Sequence, residues 1–294
     1  MLVLCYFFPA MTRKEWKIQA TRLLAGTDAP ALTAQLMLCH VLGVDRVALI
    51  AHSEVPVPPA DEARLQAMLE RRLSGEPLAY ILGTREFYGR DFTVDRHTLI
   101  PRPETEHLIE TALEFFDRQG RGEEPLRFLD LGTGSGCIAV TLAAERPFWR
   151  GTAVDISVGA LAVARRNAES NGVALEFLQA DFTQPLPFES ASFDLVVSNP
   201  PYISEEEYAG LDAVVRDFEP RSALVPGPEG MEHPREVEKA ARVLLKPGGL
   251  FLMEHGWLQG EACRALCDSL NWKNVHTGRD LAGRDRFLFA ERVL

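Results

Sequence analysis

The chain has 294 residues, 46% of them hydrophobic and 25% charged, enough to bury one large core or two ordinary ones. Its formal net charge of −11 excludes a general hold on nucleic-acid phosphates, which comes from lysine and arginine. Five cysteines without a Cys-x-x-Cys pair exclude a disulfide framework and fit a reducing, cytoplasmic setting.

The first ten residues, MLVLCYFFPA, lack a basic leading region and a cleavage pattern and are too short to span a bilayer. Residues 1–11 therefore read as an extension outside the fold, with Met11 the candidate start. No later stretch approaches membrane length, so no membrane partner is expected. From Thr12 to Ser74 the period is helical. TRKE (12–15) has capping-box spacing and opens a helix to Leu24. Ala31–Leu42 is apolar nearly all round, and Ala60–Leu73 follows the proline-rich VPVPP. This small helical domain carries no catalytic constellation.

Residues 75–103 change character: LAYILG, REFYG and DFTVD read as short strands of a hairpin that joins two domains. The joint ends in LIPRPETE (99–106), ahead of a helix over Glu104–Phe116 with acids in its first turn. From 104 to 294 strands and helices alternate. RFLDL, GTAVDI, ALEFLQAD, FDLVVSN and GLFLMEHG are strands, and NVHTGR and RFLFAERV form a closing antiparallel pair. Helices cover Gly136–Glu145, Val158–Ser170, Pro234–Leu245 and Gln259–Leu270. Apolar strands alternating with helices predict an α/β fold, a doubly wound, mostly parallel seven-stranded sheet. Cys263 and Cys267 are four apart on the last helix with no histidine cluster, so they read as packed thiols, and no metal is expected.

The chemistry gathers at strand ends, where open α/β sheets bind ligands. DLGTGSG (130–136) is a glycine loop beside a helix N-terminus. Its alternating Gly132, Gly134 and Gly136 do not match the dinucleotide fingerprint Gly-x-Gly-x-x-Gly. Asp155 ends the second strand, where an acid accepts hydrogen bonds from ribose hydroxyls. Asp181 and Phe182 end the third and offer an acceptor and an aromatic face for an adenine. After the fourth comes Asn199-Pro200-Pro201-Tyr202. The prolines hold the backbone extended, leaving the Asn199 carboxamide and nearby carbonyls to clamp a planar group with N–H donors, a carboxamide or an aromatic amine.

These four features, with GEPLAYILGTREFYG (75–89), LIPRPETE and MEHGWLQGE (253–261), resemble the bacterial release-factor glutamine N5-methyltransferases, the PrmC/HemK family of class I methyltransferases, from Trp16 to the end of the chain. The resemblance implies S-adenosylmethionine as cofactor, with Gly132, Thr133, Gly134, Ser135 and Gly136 around its methionine part, Asp155 on the ribose, and Asp181 and Phe182 at the adenine. The family often has tryptophan at the position of Phe182. It implies that Asn199, Pro200, Pro201 and Tyr202 hold the substrate, the GGQ glutamine of class 1 peptide-chain release factors, with Asn199 also beside the cofactor. The Asn199 oxygen and the Pro200 carbonyl accept the two amide hydrogens, Tyr202 stacks on the amide plane, and no strong base is required. The helical domain then recognises the protein substrate, and a monomer with no direct nucleic-acid contact is expected.

An adenine-N6 DNA methyltransferase is the alternative, because an exocyclic amine fits the same clamp after base flipping; the acidic chain argues against it. A catalytically idle binding module on this fold conflicts with the intact motifs. His107, His233 and His255 read as hydrogen-bonded structural histidines. Arg102 and Glu104 either line the cofactor mouth or cap their helix. LVPGPEGM (224–231) reads as a loop shaped near the site.

Overall fold

The computed structural model describes residues 11–280 and 282–293. The extension expected over 1–11 thus lies outside the described residues except for Met11. That residue is part of the fold, a correction: its carbonyl accepts a hydrogen bond from Val57 N at 2.9 Å, and its side chain packs on the helical core.

One compact unit ends at Leu82 and a second begins at Gly83. The first holds helices α1 (Arg13–Leu23), α2 (Pro30–Leu42), α3 (Arg46–Ala51), α4 (Pro59–Leu73) and α5 (Leu78–Leu82). The capping box forms as the sequence predicts, Glu15 N donating to Thr12 Oγ1 at 3.2 Å and Thr12 N to Glu15 Oε2 at 2.8 Å. Trp16, Met37, Leu38, Leu65 and Leu69 fill the core. Within this unit Arg72 is buried, and it offsets the cost of a buried charge through Asp28 and the Glu76 carbonyl.

LAYILG, expected as a strand, is the helix α5, a correction that moves 75–82 into the first unit. Short apolar runs do not separate strand from helix. Here the Pro77 carbonyl accepts from Tyr80 N and Ile81 N, starting a turn that Gly83 (φ +73°) ends. Ile81 then joins the helical core.

The second unit opens with the antiparallel hairpin β1 (Thr84–Phe87) and β2 (Arg90–Thr93). A 3-10 turn over Pro103–Thr105 leads into α6 (Glu106–Arg118). Then follow β3 (Arg127–Leu131), α7 (Cys137–Glu145), β4 (Arg150–Asp155), α8 (Val158–Ser170), β5 (Leu175–Gln179) and β6 (Phe193–Ser198). Two short helices the sequence does not foretell, α9 (Glu205–Ala209) and α10 (Ala213–Arg216), precede α11 (Glu232–Leu244), β7 (Leu245–Glu254), α12 (Gly260–Leu266), β8 (Trp272–Arg279) and β9 (Asp285–Arg292). Helix α12 stops short of the expected Leu270 because the Asp268 carboxylate takes the N–H groups of Leu270 and Asn271.

The seven strands lie in the order β5-β4-β3-β6-β7-β9-β8, parallel from β5 to β7, with β9 antiparallel to both neighbours. Strand alternation builds a core on each face. Phe128, Leu195, Leu250 and Leu252 meet α6 and α7 on one side; Leu129, Val196, Phe251 and Met253 meet α11 on the other. Covering both faces of β3, β6 and β7 makes them near-continuous apolar runs, with polar groups gathered towards the strand ends: Asp194 with Arg121 and Lys246 at the amino end, the site at the carboxyl ends. Among the described residues no helix is long and apolar enough to cross a membrane.

Candidate active site

The carboxyl ends of β3, β4 and β6 converge on a pocket, where open α/β sheets place their ligands. The glycine loop forms its floor. Gly132, Gly134 and Gly136 have φ of +72°, +56° and +79°, a left-handed path that side chains resist. Gly132 N and Thr133 N donate to the Val154 carbonyl, both at 2.9 Å, tying the loop to β4. Asp155 receives Gly134 N and Ser157 N, each at 2.9 Å. Those two bonds hold its carboxylate at the pocket wall with lone pairs left over, while burial pushes its pKa up.

Ser198 Oγ donates to the Leu131 carbonyl at 2.6 Å, pinning the end of β6 beside the glycine loop. Asn199 therefore enters the pocket next to that loop. Its Nδ2 donates to Thr105 Oγ1 at 3.1 Å. Thr105 Oγ1 donates to Glu254 Oε2 at 2.6 Å, and Tyr202 OH donates to Glu254 Oε1 at 3.1 Å. Among the described residues no group donates to Asn199 Oδ1. The Tyr202 carbonyl accepts from Gln259 Nε2 at 2.8 Å, and a side chain at Gly230 would meet that carbonyl at 2.5 Å. The MEHGWLQGE and LVPGPEGM segments thus shape the Tyr202 loop.

Thr133, Ser135, Asp155, Phe182, Asn199 and Pro201 line the pocket with Gly132 and Gly134. The other expected residues sit behind or beside it. Gly136 caps α7 against Ala164, Pro200 is buried, and Tyr202 is turned to Glu254. Asp181 Oδ1 is taken by Thr183 N and Oγ1, which leaves its second oxygen as the acceptor. Arg102 reaches the pocket and stands at the N-cap of the 3-10 turn, but its side chain makes no capping bond; it pairs with the buried Glu219 at 2.5 Å, whose other oxygen takes Ile100 N at 3.0 Å. That pair holds LIPRPETE along the pocket.

His107 and His255 are hydrogen-bonded away from the pocket, to Glu110 and the Gly256 carbonyl. His233 is different: it lines the pocket edge-on to Phe182, ring centroids 5.2 Å apart, with Nδ1 unpartnered. Burial lowers its pKa, favouring the neutral ring. Burial likewise pushes the Cys263 and Cys267 thiols up to about 12, which makes them inert packing groups.

Residues 15–83 match the family model of the PrmC N-terminal domain, and residues 123–286 match that of a methyltransferase domain. A release factor glutamine methyltransferase of Nitratidesulfovibrio vulgaris is 53% identical over 274 residues, 92% of this chain and 91% of that protein. Its counterpart in Bordetella pertussis is 46% identical over 264 residues, 90% and 96% of the two chains. The chain belongs to the release factor glutamine methyltransferase family. Its match to the methyltransferase domain makes it a methyltransferase, and the pocket is lined by residues of that domain together with residues 97–105 ahead of it.

Sequence reasoning assigned no role to Thr105, Glu254, Glu219, Gln259 or Asn167 in this release factor glutamine methyltransferase. Buried Asn167 donates to the carbonyls of Ser135 and Thr93 at 2.8 and 2.9 Å and accepts from Thr93 N at 2.7 Å, strapping the hairpin to the glycine loop. The signal for Thr105 and Glu254 lay in the family stretches LIPRPETE and MEHGWLQGE, without a role attached.

Asp130, beneath the loop, accepts from Thr133 Oγ1 at 2.6 Å and is buried. Desolvation, with the Asp155 charge nearby, raises its pKa from 3.8 to about 7. Between those values the folded protein keeps a proton that the unfolded chain has released, so this residue's contribution to stability falls as pH rises through the window. The Asp130→Asn protein cannot ionise there. Its stability relative to wild type should climb between about pH 4 and pH 7 and level off above, by urea unfolding of the ligand-free protein. A pH-independent difference would show that Asp130 is ionised throughout.

Proposed function

We propose that this chain transfers a methyl group from S-adenosylmethionine to the side-chain amide nitrogen, N5, of the GGQ glutamine in class 1 peptide-chain release factors. One observation carries the reading: a carboxamide with its oxygen free, Asn199, stands at the wall of a pocket built from a left-handed glycine loop and a buried acid. The relatives' shared name supplies the substrate.

The residues fit the cofactor. The loop from Gly132 to Ser135 lines the pocket ahead of α7, held in shape by its own amide bonds to Val154 and Asp155, Asp155 has acceptor capacity for two ribose hydroxyls, and Phe182 offers a ring face with Asp181 beside it. When bound, S-adenosylmethionine supplies an electrophilic methyl on a sulfonium. An amide nitrogen is a weak nucleophile because its lone pair is delocalised into the carbonyl. Asn199 Oδ1 and the Pro200 carbonyl accept its two hydrogens, orient the lone pair and stabilise the positive charge that grows on nitrogen. The new N–C bond would form as the methyl leaves the sulfonium sulfur, and the amide proton would pass to water, since neither Asn199 Oδ1 nor the Pro200 carbonyl is a base. Tyr202, expected to stack on the amide plane, is instead turned to Glu254 and anchors the segment that carries the clamp. Burial and the Glu254 carboxylate push its phenol well above the ordinary range, so it remains protonated and is not a base.

The helical unit recognises the protein substrate. It has its own core yet exposes Val47 at 76% and Ile50 at 66% on α3, an apolar pair free to meet a partner.

Three measurements test this reading. Asp155→Ala should weaken cofactor binding by roughly 1–3 kcal/mol, the loss of charge-assisted hydrogen bonds; unchanged calorimetric affinity would remove Asp155 from the site. Asn199→Ala should lower single-turnover transfer of labelled methyl to release factor by on the order of 10²–10³-fold, with far less change in cofactor affinity. A rate within about threefold of wild type would end the clamp mechanism, and transfer to duplex DNA in preference to release factor would change the substrate class. Replacing Val47 and Ile50 together by glutamate should raise KM for release factor roughly tenfold, the effect of losing about 1–2 kcal/mol at an apolar contact, with cofactor affinity intact. An unaltered KM would move recognition elsewhere.

A further inference from the structure

We infer that Thr105 and Glu254 are positioning residues that decide which end of the Asn199 carboxamide faces the substrate. The inference rests on the amide clamp proposed above and deepens it. Neither residue lines up with the clamp in sequence: Thr105 closes the 3-10 turn of LIPRPETE and Glu254 is the last residue of β7. Both are almost fully buried, at 1% and 3% exposure.

The polarity follows from counting protons. Two hydroxyl donors and the nearby Arg286 support the ionised form of Glu254 against burial, and in that form the carboxylate only accepts. Glu254 Oε2 therefore takes the single Thr105 hydroxyl proton across 2.6 Å. That leaves Thr105 Oγ1 with lone pairs alone to offer Asn199, and Nδ2 donates to it at 3.1 Å. A carboxamide turned over would set Oδ1 against an oxygen with no proton left to give. Asn199 is thus locked with Oδ1 toward the pocket, the one orientation in which the clamp meets the N–H groups of a primary amide. The same carboxylate holds the far end of the motif, since Tyr202 OH donates to Oε1 at 3.1 Å. One buried charge sets the orientation of both polar side chains of the NPPY segment.

Glutamine in place of Glu254 breaks the count. Its amide presents a donor to one of Thr105 and Tyr202. When Thr105 receives it, the hydroxyl proton is released toward Asn199 and stabilises the flipped carboxamide, with N–H groups facing the substrate's own N–H groups. A packing role predicts something else, because Gln replaces Glu at nearly the same volume and removes a buried charge.

The test is single-turnover methyl transfer to whole release factor with S-adenosylmethionine saturating, on the full chain. Thr105→Val should lower the rate about ten- to hundredfold, as misplacement of a clamp group does, and Thr105→Ser should recover most of it. Glu254→Gln should show a similar loss, with cofactor affinity unchanged and thermal stability equal to or above wild type. The double variant should be no worse than Glu254→Gln alone by more than about threefold, because residues acting in series are not additive. If Thr105→Val transfers within about threefold of wild type while Asn199→Ala is crippled, the positioning role is overturned and the clamp stands. If Asn199→Ala is itself near wild type, the clamp reading fails first. Should Glu254→Gln not fold, the valine and serine pair at Thr105 decides alone.

Discussion

A carboxylate buried at the end of a central strand is the constraint from which the rest of this site follows. Among the described residues no cation is in contact with Glu254. Desolvation raises its pKa, and what holds its charge is the pair of hydroxyls from Thr105 and Tyr202, with the field of Arg286 set against that of Glu104. Buried charges survive only when hydrogen-bonded, so the segments carrying those hydroxyls must come to β7. LIPRPETE is drawn in through Thr105 and the segment after β6 through Tyr202. The strand order β3-β6-β7 makes this possible, because it brings the ends of β6 and β7 side by side and sets β3 with its glycine loop next to them.

On the other side of the pocket the controlling atoms belong to the backbone. The left-handed glycines let the loop spend its amides on the Val154 and Thr133 carbonyls, and Asp155 spends two of its acceptor sites on Gly134 and Ser157 before any ligand arrives. In the role proposed for it, a carboxylate fixed in this way would accept ribose hydroxyls without rearrangement, which lowers the ordering cost of binding. Asn167 extends the scaffold outward, so that the hairpin after the helical unit is bonded to the same loop that lines the pocket. Rigidity here is built from short polar bonds under the surface, and the apolar layers of the sheet supply the platform.

How much of this was legible in the sequence depends on the range of the interaction. The sheet, the glycine loop, Asp155, Phe182 and the NPPY segment could be read because each is a local pattern: an apolar run, a turn or a strand end. LAYILG was misread because five apolar residues carry no period of their own, and only Pro77 and Gly83 decide for helix. Thr105 and Glu254 lie 149 residues apart, and no local pattern encodes their meeting. Arg102 was left between two roles for the same reason: its partner, Glu219, lies 117 residues away. His233 looked like any helical histidine until the fold set it beside Phe182.

The polarity of the clamp also bears on selectivity. A site that offers acceptors alone welcomes a group with two N–H bonds and rejects a carboxylate, whose oxygens would confront Asn199 Oδ1 and the Pro200 carbonyl with no proton between them. Glutamine and glutamate are nearly isosteric, so shape cannot separate them, whereas unpaired buried acceptors discriminate steeply. The acidic surroundings act in the same sense, since Asp155 and Glu254 oppose entry of another anion. What the clamp cannot do is tell a glutamine amide from an exocyclic aromatic amine, because both present the same two donors in a plane. That distinction has to be made where the larger substrate touches the protein, which is why a chain with an acidic surface and a separate helical unit reads as an enzyme for protein rather than nucleic acid.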